Sequence, residues 1–230
     1  MAESAIPYAA PVQEHSADVR VRFMRRVYGH LAGAVAAFVL IEYFLFSTGL
    51  AYAIAEVVFG TSWLLILGGF ILISWLSSSV AHRATSPAAQ YAGYTALIVA
   101  ESLLFAPLLV IASLQAPGVI ADAALLSVLG FAGLSVVALT SSRDFSALGA
   151  FLKWGAIVAL LAIVGAVLFG FELGTWFSVA MIAYAGAAIL YDTSRVLRSY
   201  PPDREVAASM QLFASLALLF WYVLRLLSDR

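Results

Sequence analysis

The sequence predicts an all-α membrane protein, a bundle of seven transmembrane helices, and three observations predict it. Seven apolar stretches occupy residues 31–48, 62–81, 88–113, 119–138, 147–169, 173–191 and 210–227, and a helix needs about 20 mostly apolar residues to cross a bilayer. The segments between them are too short to hold a second folded domain. Basic residues fall in alternate gaps: Arg20, Arg22, Arg25 and Arg26 before the first stretch, Arg83 after the second, Arg143 after the fourth, and Arg195, Arg198 and Arg204 after the sixth.

Composition points the same way, with 63% hydrophobic and 11% charged residues and a mean hydropathy of +1.00, where a soluble domain carries about 25% charged residues. Spanning segments must satisfy their backbone hydrogen bonds internally, and the short alternating strands of a membrane barrel are absent, so each stretch reads as a helix. Cytoplasmic loops hold the excess of Lys and Arg, which places the N-terminus in the cytoplasm, and an odd number of crossings places the C-terminus on the other side. A net charge of -1 offers no field for nucleic acid. With no cysteine there is no disulfide and no thiolate nucleophile or metal ligand.

Residues 1–22 are polar and begin acidic, without the basic start and cleavage site of a secretory signal, and are expected to form a mobile cytoplasmic tail ahead of a single domain spanning 23–230. The first span is then an uncleaved anchor; it carries Glu42, an acid whose neighbours Tyr43 and Ser47 are candidate hydrogen-bond partners in a packing role. The second span ends at His82 and Arg83. The third carries Glu101 at its middle and Pro107 six residues later, where the missing N–H can kink the helix beside an acid. Glu101 is either part of a pathway or a protonated structural acid bonded to a neighbouring helix.

The fourth span has Asp122 near its start and Gly130 and Gly133 within it, the fifth is preceded by Asp144 as its expected cap and holds Lys153, and the sixth follows Glu172. Small residues (Gly29 and Gly33, Gly130 and Gly133, and the run Ala183, Ala185, Gly186, Ala187, Ala188) mark close helix packing, and a homodimer face is a second use for them. Asp192 ends the sixth span, with Arg195 at i+3 in reach of an ion pair. It is either half of an ordinary helix-end pair or a titrating gate whose charge answers to burial and to that arginine. The seventh span holds Arg225 near its far end, which requires a partner inside the bundle or a segment that does not fully cross.

Ionisable groups in hydrocarbon cost roughly 2.5 to 3.5 kcal/mol each on insertion scales, so Glu42, Glu101, Asp192 and Arg225 carry the functional information. Their surroundings carry a resemblance. ALTSSRDFSALGAFL (138–152), ILYDTSRVLRS around Asp192, LLFWYVLRLLSDR with Arg225, YTALIVAESLLFAPLL with Glu101 and FMRRVYGHLAG near the start together resemble the Bax inhibitor-1 (transmembrane Bax inhibitor motif) family, and a prokaryotic member is expected. The resemblance implies a seven-helix bundle with the seventh helix central and, in prokaryotic members, a pH-sensitive calcium leak. It further implies a gating pair of aspartates on the sixth and seventh helices and an arginine latch near the end of the second. Asp192 matches the first aspartate, and Arg83 and His82 both stand near the latch position, His82 being either a titrating group there or a solvated interfacial histidine. The second aspartate falls at Ser215, a serine, so the proton shared by two carboxylates has no counterpart here.

The expected function is a pH-modulated passive calcium or cation leak, gated by Asp192 with Arg83, Arg195, Ser215 and Arg225, and with Glu101 and Asp192 along the ion path as weak, transient calcium ligands. Few carboxylates suit an ion that must both enter and leave. The alternative is a regulatory membrane protein that binds other membrane proteins, such as a protease or a cell-death factor, without conducting. An enzyme is not expected: only His15, His30 and His82 are present, with no HExxH, GxSxG or GxxxxGK[ST]. No cofactor is expected beyond calcium as the transported ion. The partners expected are the lipid bilayer, calcium and other membrane proteins, in the plasma (inner) membrane if the cell is bacterial.

Overall fold

Hydrocarbon leaves a backbone no partner but itself, and the chain answers with helices along nearly its whole length. The computed structural model describes residues 10–83, 86–141, 143 and 145–228. Among them run a 3-10 turn at Val12–Glu14 and the helices α1 (Ala17–Ser47), α2 (Leu50–Phe59), α3 (Trp63–Arg83), α4 (Pro87–Gln115), α5 (Val119–Thr140), α6 (Leu148–Phe169), α7 (Gly174–Ser199) and α8 (Glu205–Ser228). Seven are long and apolar enough to cross a membrane, and each contains or overlaps one of the expected stretches. Asp144, expected to cap the fifth span, and Arg230 lie outside the described residues.

Two elements depart from the sequence reading. Helix α2, between the first two spans, is ten residues long and too short to cross. It follows directly on α1 because Gly49 adopts a left-handed conformation (φ 79°) that reverses the chain without a side-chain clash. The expected tail also ends early: α1 begins at Ala17, and Val12 is 0% exposed, its N–H donating to the Tyr200 carbonyl at 2.8 Å. Residues 12–22 therefore belong to the folded bundle. A short polar segment hides one apolar anchor, which composition averages away.

Helix α8, the seventh span, is central. It packs against α1, α3, α4, α5 and α7, and its buried residues lie on every side of it, from Val206 to Leu224. Helix α4 is the second buried span, continuing unbroken through Pro107. By contrast α6 buries only Gly149 and Leu152 and leans on α7 and α3. Large apolar side chains such as Leu65, Trp75, Trp154 and Trp176 stay exposed on the outer faces, as expected of surfaces solvated by acyl chains.

The closest helix approaches do not fall at the expected glycine pairs. A Cβ on Gly93 would stand 2.7 Å from the Ser77 carbonyl oxygen, so this glycine lets α4 meet α3 backbone to backbone. Gly149 and Gly155 of α6 likewise receive the rings of Tyr191 and Tyr184 from α7. A Cβ on Gly29 or Gly33 would meet nothing within 4 Å.

Candidate functional site

Consecutive spans alternate in direction, which gathers the arginines of the N-terminal segment and of the gaps after the second, fourth and sixth spans at one end of the bundle, here the basic end. Asp192 lies seven residues before the end of α7, about 10 Å along the helix axis from it. The tight turn through Pro201 and Pro202 folds α8 back along α7, and this hairpin sets Ser215 opposite Asp192. Both are buried, and the Ser215 hydroxyl donates to Asp192 Oδ2. Gln211, one turn before Ser215 on the same face of α8, also turns its side chain toward the carboxylate. The hydroxyls of Tyr28 (α1), Ser135 (α5) and Thr193 (α7) lie near one another, none of them hydrogen-bonded. The Asp192 carboxylate itself meets neutral partners from α8, a hydroxyl and an amide.

The structure joins Asp192 with Ser215, but it separates the other expected gating residues from them. Arg195 makes no ion pair with Asp192 within 4 Å; its side chain is exposed and its guanidinium carbon lies 5.9 Å from the centre of the Tyr200 ring. The i+3 spacing leaves Arg195 near enough to act on Asp192 through its charge, without a direct ion pair. Arg83 is exposed at the end of α3, with no hydrogen bond or ion pair to Asp192. Arg225 lies ten residues beyond Ser215, about 15 Å further along α8, at the opposite end of the bundle. There it lines a cavity of about 700 Å³ with Glu172, Thr175, Trp63, Trp221 and Tyr222. It therefore takes no part in a contact with Asp192.

At the basic end His82, and not Arg83, makes contacts that join α3 to the α7–α8 turn. His82 Nε2 and the Tyr200 hydroxyl are 2.9 Å apart, His82 Nδ1 lies 2.9 Å from the Ser78 carbonyl, and Arg204 donates to the His82 carbonyl at 3.2 Å. Burial pushes the Tyr200 phenol up to about 12, with the nearby Arg195 opposing. It thus stays a neutral hydroxyl at physiological pH. Tyr200 and Arg204 are functional neighbours that the sequence reading missed; the Tyr-Pro-Pro run that closes the α7–α8 turn is the signal that marks them.

Glu101 and Glu42 are both buried, each 7% exposed. Glu101 sits mid-way along α4 and, like Asp192, on a helix that packs against α8. Among the described residues no group of three or more His, Cys, Asp or Glu stands close enough to hold a metal ion, so neither Glu101 nor Asp192 belongs to such a cluster. Glu42 lacks the partners expected for it: both carboxyl oxygens are without a hydrogen bond, Ser47 donates to the Phe44 carbonyl, and Tyr43 is exposed.

The family model described as "Inhibitor of apoptosis-promoting Bax1" matches residues 20–230. Among curated proteins the chain is similar to the Golgi anti-apoptotic protein of Vaccinia virus (strain Lister), 26% identical over 238 aligned residues that cover 98% of this chain and 92% of the viral one. It is also similar to Protein lifeguard 4 of Mus musculus, 26% identical over 234 residues with 98% and 92% coverage.

Proposed function

Because the chain belongs to the Bax inhibitor-1 family and is an integral, multi-pass membrane protein, we propose that it is a passive, pH-modulated calcium or cation leak gated at Asp192. The observation that carries this reading is the buried Asp192 carboxylate on the α7–α8 contact, accepting from Ser215. A membrane-buried acid is costly and marks function by default. One carboxylate beside neutral partners attracts a hard cation without holding it, which suits conduction rather than storage. Protonation of Asp192 removes that attraction, so conduction falls as the acid neutralises. With Ser215 in place of a second acid the response is shallow, because one group titrates alone. Arg195 acts on this gate through its charge and not through a contact, Arg83 is outside it, and the N-terminus lies on the cytoplasmic side. The protein works without catalysis and without a resident cofactor.

Calcium flux into proteoliposomes between pH 5 and 8 tests the reading, with wild type, Asp192→Asn, Ser215→Asp and empty vesicles side by side. Wild type leaks above the empty control, Asp192→Asn loses the pH response, and Ser215→Asp steepens it. Flux equal to that of empty vesicles in wild type overturns the leak.

A second reading is favoured by the names of the relatives, one of which is called a Golgi anti-apoptotic protein. In it the bundle is a non-conducting suppressor of cell death that acts by binding other membrane proteins. Expression in cells given a death stimulus separates the two: protection retained in Asp192→Asn supports the binding reading, and protection lost together with flux supports the leak.

A further inference from the structure

We propose that the cleft between α1 and α5 binds a single-chain membrane amphiphile whose head group donates hydrogen bonds, with Glu42 as the acceptor. Helices α1 and α5 both pack on α8 and α4 and leave between them a cavity of about 450 Å³. Phe105 and Leu109 of α4 and Phe213 and Phe220 of α8 form its back wall. The lining is apolar save for a few groups, and two of these are unusual. Glu42 is 7% exposed with both oxygens unpaired, and Ser127 is 1% exposed with its hydroxyl unpaired. Buried polar groups without partners cost roughly 1–3 kcal/mol each. Here they share one cavity, and a ligand head at Glu42 satisfies the acid.

The direction of entry follows from the rim. Val39, Tyr43 and Val128 line the cavity and are 57%, 72% and 49% exposed. These side chains lie on the outer faces of spanning helices, so the mouth opens sideways to acyl chains. Glu42 lies five residues, about 8 Å, below the end of α1 at Ser47. A head group there sits just under the interface, and its chain runs inward past Ser127. The volume accommodates about fifteen methylene-sized groups, which fits one alkyl chain and excludes a two-chain phospholipid. The Glu42 carboxyl oxygens accept hydrogen bonds, so the matching head is one that donates them, an alcohol or a primary amine.

The test uses the full chain in nanodiscs of uncharged phospholipid and a dodecylamine carrying a photoactivatable diazirine on its chain. After irradiation, labelled peptides are mapped in wild type, Glu42→Gln and Ala124→Phe, the last filling the cleft from α5. Labelling on residues 35–46 and 120–128 saturates in wild type and is competed by dodecylamine and dodecanol. Half-saturation rises about tenfold in Glu42→Gln, and labelling of these segments disappears in Ala124→Phe while both variants elute as wild type in gel filtration. Labelling that rises without saturation, that spreads evenly over the outer faces, or that is unchanged in Glu42→Gln overturns the proposal. Calcium flux plays no part in these readouts, so failure of the leak reading leaves the result intact.

Discussion

Ser215 of α8 donates its hydroxyl to the carboxylate of Asp192 on α7, and both side chains are buried. A bond across the α7–α8 hairpin therefore ties the central helix to its neighbour at a charged group. Ser215→Ala leaves that carboxylate short of a donor and destabilises the fold by about 1–3 kcal/mol, read as an earlier midpoint in thermal unfolding in detergent. Ser215→Asn, which keeps a donor, recovers part of the loss. An unchanged midpoint in Ser215→Ala removes the bond from the stability of the hairpin.

Arg225 and Asp192 lie at opposite ends of the bundle. Arg225→Gln accordingly leaves the pH dependence of calcium flux where it is in wild type, whereas Asp192→Asn abolishes it. A shift of the pH profile in Arg225→Gln would mean that the two ends communicate through α8.

Gly93 brings α4 within backbone distance of α3, with a Cβ position 2.7 Å from the Ser77 carbonyl oxygen. Backbone cannot turn aside as a flexible side chain can, so Gly93→Val forces α3 and α4 apart and costs about 1–3 kcal/mol or more. Gly33→Ala, where a Cβ meets nothing within 4 Å, is the matched control and leaves the unfolding midpoint unchanged. Equal effects in the two variants would contradict the close approach.

Tyr200 joins the basic end of the bundle to His82, and burial pushes its phenol from 10.0 up to about 12. Between those values the unfolded chain has lost the proton that the folded chain retains, so this residue's contribution to stability falls as pH rises through about 10 to 12. Tyr200→Phe removes the alkaline part of this dependence and, at neutral pH, costs about 1 kcal/mol for the lost hydrogen bond. Urea titrations of both proteins at pH 7 and pH 11 check the two effects separately; identical pH dependence in the variant refutes the assignment.

Val12 is fully buried beside the α7–α8 turn. Val12→Asp sets an unpaired charge there and frees the first residues from the bundle, whereas Val12→Ile is tolerated. Limited proteolysis reports it: cleavage before α1 speeds up several-fold in Val12→Asp alone.

Most of the fold was legible in the sequence because a membrane imposes one demand on every spanning segment. Side chains facing acyl chains and those facing other helices must both be apolar, so the seven spans stand out without any knowledge of their partners. Helix α2 escaped because its ten residues fall short of a span, and the true start of α1 because Asp18, Arg20, Arg22, Arg25, Arg26 and His30 interrupt the apolar run. At the site, Asp192 was visible as an acid where acids are costly, and Ser215 by its place in a motif. That Arg195 reaches Asp192 through its charge and not through an ion pair was not legible, because spacing along a chain does not fix which way a side chain turns.

The sequence by itself determined that the chain is an all-helical membrane bundle and which few ionisable residues it contains, since hydrophobicity is a property of each segment alone. Only the tertiary structure decided that α8 is enclosed by its neighbours, that Ser215 and not Arg195 meets Asp192, that His82 joins Tyr200, and that Glu42 opens unpaired into a cleft between α1 and α5. Each of these is a contact between helices distant in sequence. Such contacts depend on the packing of particular side chains, which no single segment encodes.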